Sequence, residues 1–334
     1  MKRLLTALLA AVVLLGLLAV GFDLQASTAI TGVAEAAGNL SWQLVGAAFG
    51  MYALSYVGRG LRLAVLLPGH APLARLVSIS ARHNLLNLVL PLRSGEASLP
   101  LMLKGEVGRP LAEGTAALLI ARILDLGAVA AWLLVGLSAS TAVADRSLAL
   151  PAGSLLATLL VGLLAVRPLS ALAARHFHES DGRITGFIGR TAGHLADLPL
   201  QRLALAAAVS LMTWLLTYGA CFALLTDMGS PTGTVGPALA GVSFVDSLVG
   251  STALHLVGIL PINTLAGIGP WEAGWTAGYV LVGVEETAAL ASAVVSHGAI
   301  LAFVSLLGGL GWVLRGRVPV AGQPAAVEND PASP

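Results

Sequence analysis

The chain is divided into long apolar runs with almost no charge, and that pattern decides its class. Leu4 to Phe22 holds no ionisable residue, and the interior of the run from Leu111 to Leu137 holds only Arg122 and Asp125. About 20 apolar residues suffice for a helix to cross the hydrocarbon core of a bilayer. In lipid every backbone N–H and C=O must be satisfied within the protein, so repeated runs of this length specify helices. Composition excludes the alternatives. Charged residues make up 10% of the chain, against about 25% in a soluble domain, and the mean hydropathy is +0.87. A soluble globule, a disordered chain and a coiled coil are ruled out.

The sequence therefore predicts an all-α, polytopic integral membrane bundle of about eight transmembrane helices. Residues 1–317 form one transmembrane domain, and residues 318–334, rich in Pro and Ala, form a disordered cytoplasmic tail. The net charge of +1 gives no electrostatic case for nucleic acid as a partner. Cys221 is the sole cysteine, which excludes an intramolecular disulfide and a Cys-based metal cluster. No cofactor and no metal are expected.

Basic residues set the orientation, because Lys and Arg favour the cytoplasmic loops. Lys2 and Arg3 precede the first run, and the loop from Asp23 to Ser41 carries acids without a base, so that loop lies outside. Trp42 to Leu67 returns inward. The stretch between Pro68 and Pro110 and the loop from Arg167 to Arg202 are basic and cytoplasmic. Leu111 to Leu137 crosses outward, Ser147 to Val166 back, and Leu203 to Leu225 outward again. Arg315 and Arg317 follow Thr287 to Leu314 and belong inside. An even number of crossings results if 237–260 and 261–284 are two legs, one inward and one outward. Both termini are then cytoplasmic, in a multi-pass protein of the cytoplasmic membrane.

An ionisable residue at membrane depth costs a few kcal/mol or more, so each one needs a reason. Arg122 and Asp125 are neighbours on one helix face. They form either a neutralised structural pair or a headgroup site in which Asp125 orients Arg122. Arg59 and Arg62 lie one turn apart near the cytoplasmic end of their helix. They either snorkel to the interface or offer planar donor forks to a phosphate. The segment from Ser80 to Glu96 is too polar to cross and too apolar for a loop. His83, Asn84 and Asn87 share a face, Pro91 breaks the helix, and Gly95 permits a turn, which together read as a re-entrant element. Pro261 to Glu272 is a second break, with Gly267 and Gly269 before Pro270. Glu272 there either caps a helix or presents a carboxylate favoured by the positive helix end. Asp246 is read as mid-span, on a stripe with Ser243, Ser247 and Ser251, and His297 as central in the last span. Both are candidates for a proton step. Paired interruptions in two halves point to a central binding site.

These residues carry a resemblance. The chain resembles flippase-like integral membrane proteins related to the transmembrane domain of lysylphosphatidylglycerol synthase. The matching pieces are Arg59, Asn87 to Pro91, Arg93-Ser-Gly-Glu96, Arg122-Ile-Leu-Asp125 and Gly267-Ile-Gly-Pro-Trp-Glu272. They run in order over roughly residues 40–314. Two positions depart from the pattern. Leu99 and Pro100 stand where an arginine is expected after the first Gly-Glu, with Lys104 the nearest base, and His297 stands near the place of an arginine in the last span. The resemblance implies movement or presentation of a membrane lipid, without aminoacyl transfer, and hence no enzymatic activity. On this reading Arg59, Arg93 and Arg122 bind an anionic or polyprenyl-phosphate headgroup. Glu96, Asp125 and Glu272 fix those bases or bind an amine, and Asn87 and the two proline breaks shape the cavity. Pathway enzymes in the membrane are further candidate partners. No GxxxxGK[ST] loop is present, so transport would be downhill, ion-coupled or partner-driven. Two rivals remain: a non-catalytic scaffold of a lipid or polysaccharide pathway, and a glycosyltransferase using a polyprenyl-phosphate donor. The latter needs an outer carboxylate, for which Asp23 and Glu35 are the candidates.

Overall fold

The computed structural model describes residues 26–143, 149–177, 182–229, 235–259 and 264–315. The predicted first run, Leu4 to Phe22, and the predicted tail, 318–334, lie outside the described residues. Among those described there are twelve α-helices and no strand. In chain order they are α1 (Ala26–Gly38), α2 (Trp42–Leu66), α3 (Leu73–Val89), α4 (Ser98–Val107), α5 (Leu111–Ala139), α6 (Ala149–Phe177), α7 (Arg183–Ala196), α8 (Leu200–Met228), α9 (Val235–Leu239), α10 (Phe244–Ile259), α11 (Pro270–Leu281) and α12 (Glu286–Leu314). Short 3-10 turns at Pro91–Ala97 and Leu265–Gly267 interrupt the series. The protein is an all-α polytopic membrane bundle. Four helices are long and apolar enough to cross a bilayer: α5, α6 from Gly153, α8 and α12. The helix α2 is nearly as long, at 25 residues.

The long helices alternate in direction and define two ends. At one end the Ser41 amide, just before α2, donates to Asp227 in the last turn of α8 at 2.7 Å. Glu285 caps α12 at the same end, accepting from the Thr287 and Ala288 amides. At the other end Arg75, Arg82 and Arg315 converge on Glu106. One end is thus acidic and the other basic, as the charge distribution predicted.

Two short hairpins enter the bundle from these opposite ends. The first is α3, the turn 91–97 and α4. Its arms are antiparallel: His83 Nδ1 lies 2.8 Å from Ser98 Oγ, and Arg82 reaches Glu106. The arms close because Gly95 has no side chain; a Cβ there would come within 2.6 Å of the Asn87 amide nitrogen. It enters at the basic end along α12, where Ser78 Oγ donates to the Gly311 carbonyl at 2.8 Å. The second hairpin is α10 and α11. A Cβ on Gly278 would lie 1.9 Å from the Gly250 carbonyl oxygen, so these backbones touch. It starts at the acidic end, where Ser140 after α5 bonds Asp246 at 2.5 Å.

Over 237–284, where two crossings were predicted, the described residues hold the antiparallel helices α10 and α11, both short. Helices of 16 and 12 residues span about 24 and 18 Å, less than the roughly 30 Å hydrocarbon core. Their turn stays inside the bundle and packs against α3 of the first hairpin. Two further expectations are corrected. Asp246 is in the first turn of α10, not mid-span, because the helix begins only at Phe244. The predicted outer loop from Asp23 to Ser41 contains α1, a 13-residue helix. The serine stripe is a packing seam: Ser247 and Ser251 bond Tyr279 Oη at 2.6 and 3.0 Å. On α6, Leu160, Val161, Leu164, Leu169 and Leu172 are exposed, an apolar face suited to lipid.

Candidate functional site

The tips of the two hairpins meet around α2, α5 and α8 and line a partly open cavity of about 230 Å³. Its polar lining comes from Arg59, Asn87, Glu96, Arg122 and His255, with Asp125 at its floor and Tyr56, Trp214 and Trp271 as aromatic walls. Ala266 and Gly267 of the second break also face it.

The charges are arranged as a chain. Arg62 grips Asp125 with both ends of its fork, at 2.5 and 3.2 Å, and also donates to Ser210 Oγ at 2.9 Å. Both side chains are buried, at 6% and 3% exposure. Trp214 Nε1 adds a third donor to Asp125 at 2.9 Å. Arg122 lies 3.4 Å from the other Asp125 oxygen, and its guanidinium turns to Glu96 at 2.7 Å. A carboxylate with this many charge-assisted donors is held ionised and fixed in place. His83 is held as the Nδ1–H tautomer: Asn87 Nδ2 donates to its Nε2 at 3.1 Å, which leaves Nδ1 to donate to Ser98. That tautomer follows from the surrounding donors and acceptors.

Arg59 stands apart. It makes no hydrogen bond or ion pair among the described residues, and its Nε is buried without a partner. Its Cζ sits 5.9 Å from the Tyr56 ring and 6.0 Å from the Trp214 ring. Aromatic faces attract a cation weakly, without neutralising it. Among the described side chains, the guanidiniums of Arg59, Arg62 and Arg122 surround the carboxylates of Glu96 and Asp125, and Arg59 is the one of the three without an ion pair.

A family model described as the lysylphosphatidylglycerol synthase TM region matches residues 4–308. The chain belongs to that family. No curated protein matches it significantly. The lysylphosphatidylglycerol synthase TM region thus has, in this member, a cavity walled by the two re-entrant hairpins.

The structure brings Arg59, Asn87, Glu96, Arg122 and Asp125 together at this cavity. Arg93 lies in the 3-10 turn of the first hairpin, but its side chain is outside the described residues. Glu272 does not line the cavity. It is 4% exposed, accepts from the Gly269 amide at 2.7 Å and meets His297 Nδ1 at 2.6 Å. The neighbours of Glu272, not Glu272 itself, form the wall. Asp246 is also remote, satisfied by Ser140 and Ser243. Of the outer carboxylates, Glu35 accepts from the Val235 amide at the start of α9, and Asp23 is outside the described residues.

Sequence reasoning weighed Arg62 only together with Arg59 and left Trp214, Tyr56 and His255 out of the site. Arg62 was indistinguishable from Arg59 by spacing; what separates them is which one meets Asp125 across the bundle. Trp214, Tyr56 and His255 carried no local signal, since single aromatic and histidine residues in apolar runs are ordinary core. His255 packs edge-on against Trp214 and Tyr218, and its Nε2 is buried without a partner.

Proposed function

We propose that this protein is a lipid translocase of the cytoplasmic membrane that receives an anionic headgroup in the cavity between its hairpins. One observation carries the reading: Arg59 has no ion pair among the described residues and lines the cavity between the hairpins, with its Nε buried and unbonded. A half-buried cation without a counter-ion is poorly compensated, and a ligand anion would supply the missing charge. Among the described side chains at the cavity guanidiniums outnumber carboxylates, which suits an anionic headgroup. Arg122 is close enough to share the anion, while Arg62 and Asp125 hold the surrounding geometry. The cavity is smaller than a usual small-molecule site of about 300–1,000 Å³, so it fits the headgroup end with the acyl chains left in lipid. The exposed apolar faces of the bundle are compatible with that arrangement.

Reconstitution into vesicles with fluorescent anionic phospholipids tests this. Wild type is expected to equilibrate probe between leaflets, and Arg59→Ala to lose that activity while remaining folded. Unchanged leaflet distribution with wild type across the lipid panel, or full activity in Arg59→Ala, would remove the proposal.

A further inference from the structure

His297 faces acceptors on both sides. Its Nδ1 is 2.6 Å from Glu272 Oε1, and its Nε2 is 3.0 Å from the carbonyl oxygen of Ala266. A carbonyl cannot donate, so Nε2 must carry a proton for that contact. The short Nδ1 contact then needs a second proton. It resides on Nδ1, with Glu272 ionised, or on Glu272, with the imidazole neutral. Both arrangements contain the same two protons and no net charge. Remove one and a conflict follows. If Nε2 keeps the remaining proton, the Nδ1 lone pair confronts a carboxylate at hydrogen-bond distance. The proton is better placed on Nδ1, which leaves an Nε2 lone pair facing the Ala266 carbonyl. Deprotonation therefore breaks the contact to Ala266.

That contact holds a strained turn. Ala266 has φ of 58°, a left-handed conformation that a residue with a Cβ rarely adopts, and Gly267 and Gly269 on either side of Ile268 also have positive φ. Ala266, Gly267 and Trp271 line the headgroup cavity, and the Trp271 ring stacks on His297 at 4.7 Å. The same proton therefore fixes the wall of the cavity.

Among the described residues no other charge is paired with Glu272 or His297; on α10, packed against α11, Asp246 is bonded to Ser140 and Ser243 and His255 packs on Trp214 and Tyr218. On the elements packed against α12, Glu35 of α1 is bonded to the Val235 amide. Arg75 and Arg82 of α3 meet Glu106, and His83 faces Glu96. Asp227 of α8 accepts from Ser41. On α2, Arg62 is spent on Asp125 and Arg59 lies over Tyr56 and Trp214. None forms an ion pair with Glu272 or His297.

We propose that Glu272 and His297 are a one-proton site that holds the 264–269 turn as a wall of the headgroup cavity and releases it when the proton leaves, coupling the cavity to protons. The switch stands on its own geometry; what it would gate rests on the lipid-translocase reading.

Hydrogen–deuterium exchange of the full chain in lipid nanodiscs tests it, after correction for the intrinsic pH dependence of amide exchange. In wild type the turn amides, among them Gly267 bonded to Thr264 O and Gly269 bonded to Glu272, are expected to lose protection at least tenfold as pH rises, with α12 unchanged. Glu272→Gln mimics the protonated carboxyl: its amide can donate to Nδ1 while its oxygen accepts from Gly269. That variant is expected to stay protected at every pH. Turn protection in wild type that does not change with pH would overturn the proposal without recourse to any variant, as would a wild-type pH response in Glu272→Gln. Translocation measured with and without a pH gradient separates the two readings. Active translocation with an invariant turn would overturn the proton site and keep the lipid reading. A pH-responsive turn without translocation would support the site and remove the lipid reading.

Discussion

Arg59 and Arg62 lie one turn apart on α2, and the structure assigns them opposite energetic roles. Arg62 is buried against Asp125 with a bidentate contact and a bond to Ser210. Removing one member of a buried pair strands the other charge, which costs about 3–5 kcal/mol. Arg62→Ala leaves the Asp125 carboxylate with the Trp214 donor and a longer contact to Arg122, so a loss at the lower end, about 3 kcal/mol, is expected. Arg59→Ala strands nothing, since Arg59 has no anionic partner among the described residues. Its stability should change by less than about 1 kcal/mol. The headgroup affinity should respond in the opposite order. Losing one hydrogen bond to a charged group costs about 1.5–3 kcal/mol, or roughly 10- to 150-fold in binding. Thermal unfolding in detergent and titration with a short-chain anionic phospholipid read both quantities on the same preparations. Equal destabilisation by the two substitutions, or unaltered lipid affinity in Arg59→Ala, would refute the assignment. A double replacement of Arg62 and Asp125 by Met and Leu separates charge from packing. It should recover most of the stability lost in Arg62→Ala, because a buried pair often gives way to apolar residues at little cost.

Gly278→Ala places a Cβ 1.9 Å from the Gly250 carbonyl and should cost more than about 2 kcal/mol by splitting the second hairpin. Gly162→Ala, with nothing within 4 Å, should instead be neutral or gain up to about 1 kcal/mol, both read by thermal unfolding. Tyr279→Phe leaves Ser247 and Ser251 without their shared partner and is expected to cost about 1–3 kcal/mol while leaving lipid binding intact. Glu285 caps α12, and its bonds from Thr287 hold its carboxyl below the usual value. A group with a lowered folded pKa stabilises above its unfolded pKa and loses that contribution as pH falls through the folded one. Glu285→Ala should therefore cost about 1 kcal/mol near neutral pH and nothing in acid, measured by unfolding at two pH values.

The long helices were legible because their signal is local. A long run of mostly apolar residues decides α5, α8 and α12 without reference to anything else in the chain. The two breaks were legible for the same reason, since Pro91, Pro270 and the glycines beside them end a helix wherever it packs. Depth was not legible. Pro237 to Val284 holds enough apolar residues for two crossings, and the turn before α11 meets α12 through Glu272 and Ala266, contacts with His297 between residues 25 and 31 apart that no local pattern shows. The site was readable as a set of residue types but not as a set of pairs. Arg122 and Asp125 were predicted as mutual partners; in the structure Asp125 belongs chiefly to Arg62 and Arg122 chiefly to Glu96.

That re-pairing bears on how a chain with so few charges could place the proposed binding cation among its helices. Burying Arg62, Asp125, Arg122 and Glu96 as one alternating chain cancels four charges within a few ångströms, so the network carries no net cost of an isolated ion. It also ties α2, α5 and the first hairpin to one another with bidentate contacts that a single pair could not provide. Arg59 is added to this neutral frame on an aromatic seat of Tyr56 and Trp214, where its charge is tolerated but unmet. If all five charges cancelled within the protein, the cavity would have no electrostatic preference. If the frame itself were charged, the bundle would have to be opened to relieve it. On the proposed reading, a neutral frame with one half-buried, unpaired guanidinium keeps the structure stable when the cavity is empty and leaves an attraction for an anion in reserve.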